Sequence, residues 1–371
     1  MKSVALALTF LVLIPALSAQ VNVESVPEGG LQPQVAVSSE GVVHLVYLKG
    51  DPKGCDIRYT HRPVDDMTWA VPITVNSIAK TAVAMGTIRG AQLVLGKAGS
   101  VQVVWNGAPD HAGGGPQRSP LYHARLESRG SAFSTQQDLL DGTVALDGGA
   151  TIAADGEGRV CIIWHAATES GERENSRLIF LRESMDDGRH FSAHLPLNSA
   201  SPGVCACCSL RAHLDGHGTL SVLYRTAFKA DARGMALITY KKDKSVAIKL
   251  LDDWRIAMCP MSSMSLMPVA QSLRAAWEND GQIVTGFMDS PGVLQKVGPK
   301  NAKHPALAQN AKGQTIIVSV LGAGWAKAGQ LHWDVLDKKG NISSSEDGEK
   351  LPVWSFAATY ARTDGHFIIL R

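Results

Sequence analysis

Six times along the chain an apolar run leaves a turn, usually through glycine, and usually ends in an aromatic residue. The runs are GVVHLVYL (41–48), GSVQVVWN (99–106), GRVCIIWH (158–165), GTLSVLYR (218–225), QSLRAAWE (271–278) and, more weakly, GQTIIVSV (313–320). Their equivalent positions, Tyr47, Trp105, Trp164, Tyr224, Trp277 and Ser319, are separated by 58, 59, 60, 53 and 42 residues. Alternating apolar positions, β-branched residues and turns such as DGEG (155–158) and DGHG (215–218) predict antiparallel strands. A short-stranded unit of this length cannot bury both faces alone, and stacking such units around a ring solves the problem, which is the logic of propeller blades. Taking 19 residues as a leader leaves 371 − 19 = 352, and 352 / 6 is about 59, close to the longer spacings. The sequence therefore predicts an all-β fold, a six-bladed propeller of four-stranded antiparallel blades forming one domain over 20–371. The closing segment WSFAATYARTDGHFIILR (354–371) is expected to complete the last blade, with VNVESV (21–26) pairing beside it.

The leader is the stretch 1–19. Lys2, an apolar run from Val4 to Ile14, Pro15 and then small residues before Gln20 follow the order of a secretory signal peptide cut near Ala19. The run is too short to span a bilayer. These features predict an exported protein, periplasmic or extracellular, without a membrane anchor and monomeric. Without Lys2 the chain carries 35 basic and 34 acidic side chains and no basic stripe, which argues against a nucleic-acid partner.

One segment carries a family motif. SMDDGRHF (184–191) matches the Asp-box pattern S-x-D-x-G-x-x-F/W at Ser184, Asp186, Gly188 and Phe191, and weaker echoes occur at RPVDDMTW (62–69) and LESRGSAF (126–133). With the repeat and the leader, the chain resembles the sialidase-like (Asp-box, or BNR repeat) six-bladed propellers. That resemblance implies a structural role for the box, on the outer hairpin of a blade, and a glycan or small polar ligand on the top face. Active members of the family are exo-α-sialidases that use three arginines, a Tyr/Glu nucleophile pair and an Asp. Where their first-blade Arg-Ile-Pro motif would fall this chain reads LQPQVAV (31–37). Arg225 matches a family arginine by position, while Glu278 and Tyr360 fill the other roles only by residue type. The catalytic set is thus incomplete, and little or no sialidase turnover is expected.

Two further groups of residues stand out. Asn106, His165, Arg225 and Glu278 each follow the aromatic of their repeat, which predicts a polar arc around the central opening for ligand binding. On the same rim VCACCSL (204–210) places Cys205, Cys207 and Cys208 within four positions, and CPM (259–261) places Cys259 and Met261 at the equivalent loop of the next blade. The repeat puts Cys208 opposite Arg225 and brings both cysteine motifs together. In an oxidising compartment a disulfide from Cys205 or Cys207 to Cys259 is one reading. A soft-metal site for Cu or Zn, with Met261 or His165 assisting, is a second, and a thiolate activated by Arg225 is a third. Cys55 and Cys161 fall outside this group. The methionines Met258, Met261, Met264 and Met267 read as strand packing.

Overall fold

The computed structural model describes residues 20–371 except 87, 109–118, 129, 141–147, 168–173, 200, 229–230, 257, 259 and 291–292. The leader, its cleavage position and Cys259 lie outside the described residues. Each predicted repeat run supplies the second strand of an antiparallel sheet. Blade one comprises Leu31–Val37, Val42–Asp51, Gly54–Pro63 and Ile73–Thr74. Blade two comprises Gln92–Leu95, Val101–Asn106, Leu121–Leu126 and Gln137–Asp138. Blade three comprises Thr151–Ala154, Val160–Ala166, Leu178–Ser184 and Leu195–Pro196. Blade four comprises Leu210–Leu214, Leu220–Ala227, Met235–Tyr240 and Val246–Leu250, with Gly203–Val204 added at the rim. Blade five comprises Met264–Val269, Ser272–Asn279, Gln282–Phe287 and Gln295–Val297. Blade six comprises Ala302–Gln309, Thr315–Leu321, Gln330–Leu336 and Ile342–Lys350.

The expectation of six blades is corrected to seven. Blade six already has its fourth strand in Ile342–Lys350, so the closing segment has no place there. Instead Ala358–Ala361 and Phe367–Leu370 form their own hairpin, and Val21–Glu24 lies parallel to Phe367–Leu370 as a third strand. The seventh copy of the repeat is the DGHFIILR that ends the chain, with Arg371 in the aromatic position, 371 − 319 = 52 residues after Ser319. Dividing the length by the spacing missed it because this blade is short and borrows a strand from the other end of the chain. That borrowing closes the ring without a covalent link.

Burial confirms the count. Seven apolar clusters form the core, and each spans two neighbouring blades, from the seam of blades one and two (Leu48, Ile57, Trp105) round to the seam of blades seven and one (Leu45, Tyr47, Ile368). The repeat aromatics Tyr47, Trp105, Trp164, Tyr224 and Trp277 are at most 1% exposed, so their spacing records a seam residue in each unit.

The Asp-box occupies the outer turn of blade three. Ser184 Oγ donates to Asp186 Oδ1 (2.8 Å) and accepts from the Gly188 amide (2.9 Å), while Gly188 takes φ +79°, a region open to glycine. Phe191 meets His123 of blade two edge-on at 5.0 Å. Asp187, which the box pattern leaves free, is the stronger tie: it accepts from the Lys97 amide (2.8 Å), Ser100 Oγ (2.8 Å) and Arg125 (2.7 Å), all in blade two. Phe133, in the echo turn of blade two, meets Tyr59 of blade one at 5.5 Å in the same way. The outer turns thus stitch successive blades together.

Candidate functional site

The cysteine motif is a bulge. Val204 pairs with Thr226 and Leu210 pairs with Tyr224, so the five residues 205–209 lie opposite the single residue Arg225. Extra residues on one strand leave the ladder and re-aim side chains at a rim. The Cys205 amide holds the bulge by donating to the Arg225 carbonyl (3.0 Å). The expected pairing of Cys208 with Arg225 is therefore out of register by the width of this loop, although Arg225 lies behind it. Cys205 Sγ stands 3.6 Å from Cys207 Sγ and 3.7 Å from Cys208 Sγ, and all three sulfurs lie within 4.8 Å of one another. Cys205 and Cys208 are free thiols and fully buried, whereas Cys207 is disulfide-bonded and partly exposed. Burial pushes the Cys208 thiol up, but the hydrogen bond from Cys205, the Arg225 charge and the Ser262 backbone outweigh it and bring it down to about 7. Cys205, which gives that hydrogen bond and is itself buried, is raised well above the usual thiol range.

Met261 does not join this group; it lines a small cavity with Gly86, Lys303, His304 and Trp325. Met264 is buried and Met258 is 70% exposed, so the methionines form no common cluster. Cys55 and Cys161 are buried free thiols in blades one and three, their S–H groups turned to Ala82 O and Glu183.

The polar arc sits at the predicted rim, but its side chains point into the seams. Asn106, His165, Arg225 and Glu278 are at most 3% exposed. Asn106 donates to Gly148 O (2.7 Å) and accepts from the Ala150 amide (3.1 Å), both in the approach to blade three. His165 Nε2 contacts Cys208 O of blade four (3.3 Å) and its Nδ1 accepts from Arg177 (3.4 Å); burial, reinforced by Arg177, lowers its pKa to about 3 and keeps it neutral. Arg225 donates to Arg233 O (2.9 Å) and to Glu278 O of blade five (2.6 Å) and lies over the Trp254 ring at 5.0 Å. Burial raises the Glu278 carboxyl despite Lys303 and Arg225. Asn106, His165 and Arg225 thus each latch one blade to the next.

Open space lies in the centre. The seven innermost strands enclose a channel of about 610 Å³. Its wall carries Gln34, Gln92, Thr151, Gln309 and Thr359 among small apolar residues, and among the described lining residues there is no carboxylate. Arg211, from the innermost strand of blade four, is the only one of the described lining residues with a permanent charge. It donates to Leu210 O (2.8 Å) and has no acidic partner among the described residues. Neighbouring strands enclose it while part of its surface stays open to the channel, and burial alone lowers its pKa to about 10, so it remains cationic. Burial and the charges of Lys303 and Arg211 lower the His304 pKa to about 3. Burial also lowers that of His213, which lines the wall near Arg211. Sequence reasoning missed Arg211; the signal was LRAHL (210–214), two polar side chains in a strand that faces the axis.

The residues a sialidase mechanism would need do not converge. Glu278 is next to last in its second strand, whereas Tyr360 pairs with Ile368 near the start of another second strand. Second strands all run the same way through the ring, so the two lie at opposite ends of the channel. Tyr360 accepts instead from Arg62, which also binds Glu24 (2.7 Å).

No family model and no curated sequence matches the chain. Among solved structures, the Penicillium chrysogenum α-L-arabinanase complexed with arabinobiose is similar at 10% identity and TM-score 0.56, over 85% of this chain and 95% of that one. An ulvan lyase of polysaccharide lyase family PL25, bound to a GlcA–Rha3S saccharide, is similar at 11% identity and TM-score 0.51, over 84% and 80%. A Hadza microbial sialidase shares 13% identity at TM-score 0.49, over 85% and 73%. Likeness at such identities establishes the propeller fold; the site must be argued from its own residues.

Proposed function

We propose that the chain is an exported propeller that binds a polar ligand of the glycan class, one bearing an acidic group, in the central channel. The observation that carries this reading is Arg211, an enclosed cation in a channel wall with no carboxylate among its described residues. A guanidinium offers a fork of donors matched to a carboxylate or sulfate, and the surrounding amides and hydroxyls suit sugar hydroxyls. The structures of the arabinanase and the ulvan lyase hold bound saccharides, the latter containing GlcA, in keeping with this choice of ligand. Export follows from the leader at 1–19. The role is binding rather than sialoside cleavage, because Glu278 and Tyr360 stand apart and the rim cation Arg225 is occupied by backbone carbonyls.

A glycan array probed with the mature protein tests this. Uronate-, sulfate- or sialate-bearing glycans should be retained over neutral glycans of the same backbone, and a fluorogenic sialoside should not be turned over. Retention of neutral glycans alone would overturn the assignment.

A further inference from the structure

The bulge of blade four has no part in the channel, yet it concentrates sulfur in a way packing alone does not require. The S···S separations of 3.6 and 3.7 Å are within a few tenths of an ångström of the roughly 3.8–4.0 Å that three thiolates keep around a d10 ion with metal–sulfur bonds of about 2.3 Å. Three thiolates around a monovalent ion leave a net charge of about −2, and one cation that would offset half of it is in place. Arg225 lies behind the loop, and its buried Nε has no hydrogen-bond partner among the described residues. Glu174 and Glu278 are the acids facing the loop: Glu174 is engaged by the Ala206 amide (2.8 Å) and Arg233 (2.5 Å), and Glu278 is buried beside Lys303 and Arg225. His165 is not a ligand, since both of its ring nitrogens are in use. Among the described residues the donors are three sulfurs with no nitrogen or oxygen, a soft set of the kind that takes Cu(I).

One sulfur is withheld. Cys207 is in a disulfide, and a disulfide sulfur is not a thiolate ligand. We propose that Cys205, Cys207 and Cys208 form a Cu(I) site that the Cys207 disulfide keeps closed and that reduction opens. An external dithiol supplies two electrons and two protons: it becomes a cyclic disulfide, and the Cys207 bond becomes two thiols. Cu(I) then displaces the protons of the three cysteines. Cys207 is the partly exposed member, so the reductant and the ion meet the cluster there, while Cys205 and Cys208 lie beneath it.

The test titrates Cu(I), delivered from a bicinchoninate complex under anaerobic conditions, into the full mature protein with its disulfide intact and again after reduction and removal of the reductant. The reduced protein should hold one equivalent at least about tenfold more tightly than the oxidised protein, with sulfur-to-copper absorption in the near ultraviolet. Cys205→Ser and Cys208→Ser, checked for folding by circular dichroism, should each lose that gain, and Cys161→Ser, outside the cluster, should keep it. Equal affinity in both redox forms, or retention of the gain by Cys208→Ser, would overturn the proposal. A reduced protein that prefers Zn(II) would overturn the assignment to Cu(I).

Discussion

Replacing Asp187 by alanine should cost more than replacing any residue of the Asp-box pattern itself. Asp187 is 4% exposed and its carboxylate holds three groups of blade two, among them Arg125, itself only 8% exposed. Breaking one partner out of a buried ion pair typically costs about 3–5 kcal/mol, because the remaining charge is left uncompensated. Here Arg125 keeps Glu127, a carboxylate 59% exposed and therefore a weak substitute, which lowers the expected cost to about 2–4 kcal/mol. An unfolding entropy of about 2.1 cal/mol/K per residue over the 371 − 19 = 352 residues of 20–371 is roughly 0.7 kcal/mol/K, so about 3 kcal/mol lowers Tm by about 4 °C. Calorimetry supplies Tm, and urea titration should show a lower midpoint with an unchanged slope. Asp186→Ala, which removes bonds within one exposed turn, should cost about 1 kcal/mol. Adding Arg125→Met to Asp187→Ala should recover part of the loss, since removing both charges leaves neither stranded. A fall of less than about 1 °C for Asp187→Ala, or a double variant worse than the sum of the single ones, would refute the view that the outer turns bind blade to blade.

Gly148→Ala would place a Cβ 2.2 Å from His165 Nε2 and 2.5 Å from Cys208 O, so it should destabilise by about 1–3 kcal/mol and speed the reaction of Cys208 with a thiol reagent, read by thermal unfolding and thiol titration. His332 bears on pH: burial lowers its pKa, but Asp334 (3.3 Å) and Asp347 (2.7 Å) outweigh that and raise it above the ordinary value. A raised folded pKa gives stability that is complete below the unfolded value of about 6.5 and is lost as pH rises through the folded value. Urea midpoints of the parent should therefore fall relative to those of His332→Gln as pH increases above about 6.5.

The strand order was legible because five of the seven seams carry a large aromatic at the same place in the repeat, and the tight turn before each run marks its hairpin. The seventh blade was hidden because its aromatic position holds Arg371 and its outer strand comes from Val21–Glu24, a pairing that no local pattern encodes. Asn106, His165 and Arg225 were found by the repeat yet misread in role: a polar residue after a strand can face water or the next blade, and only the packing decides. Arg211 escaped because an inner strand of a ring alternates between seam and channel, so a charge in it is meaningful only once the ring is closed. The cysteines were legible as a group, whereas the disulfide at Cys207 beside free thiols at Cys205 and Cys208 depends on a five-residue bulge that spacing does not reveal.

The central claim is that an acidic ligand is held in the channel by Arg211, and the direct measurement is a calorimetric binding comparison of the parent protein and Arg211→Met with a uronate-bearing oligosaccharide and its neutral counterpart. A charge-assisted contact is worth about 1.5–3 kcal/mol, so the parent should favour the acidic ligand by roughly 10- to 150-fold and Arg211→Met should lose that preference while binding the neutral ligand as before. A preference left intact in Arg211→Met, but abolished by Arg225→Met at the rim, would contradict the account.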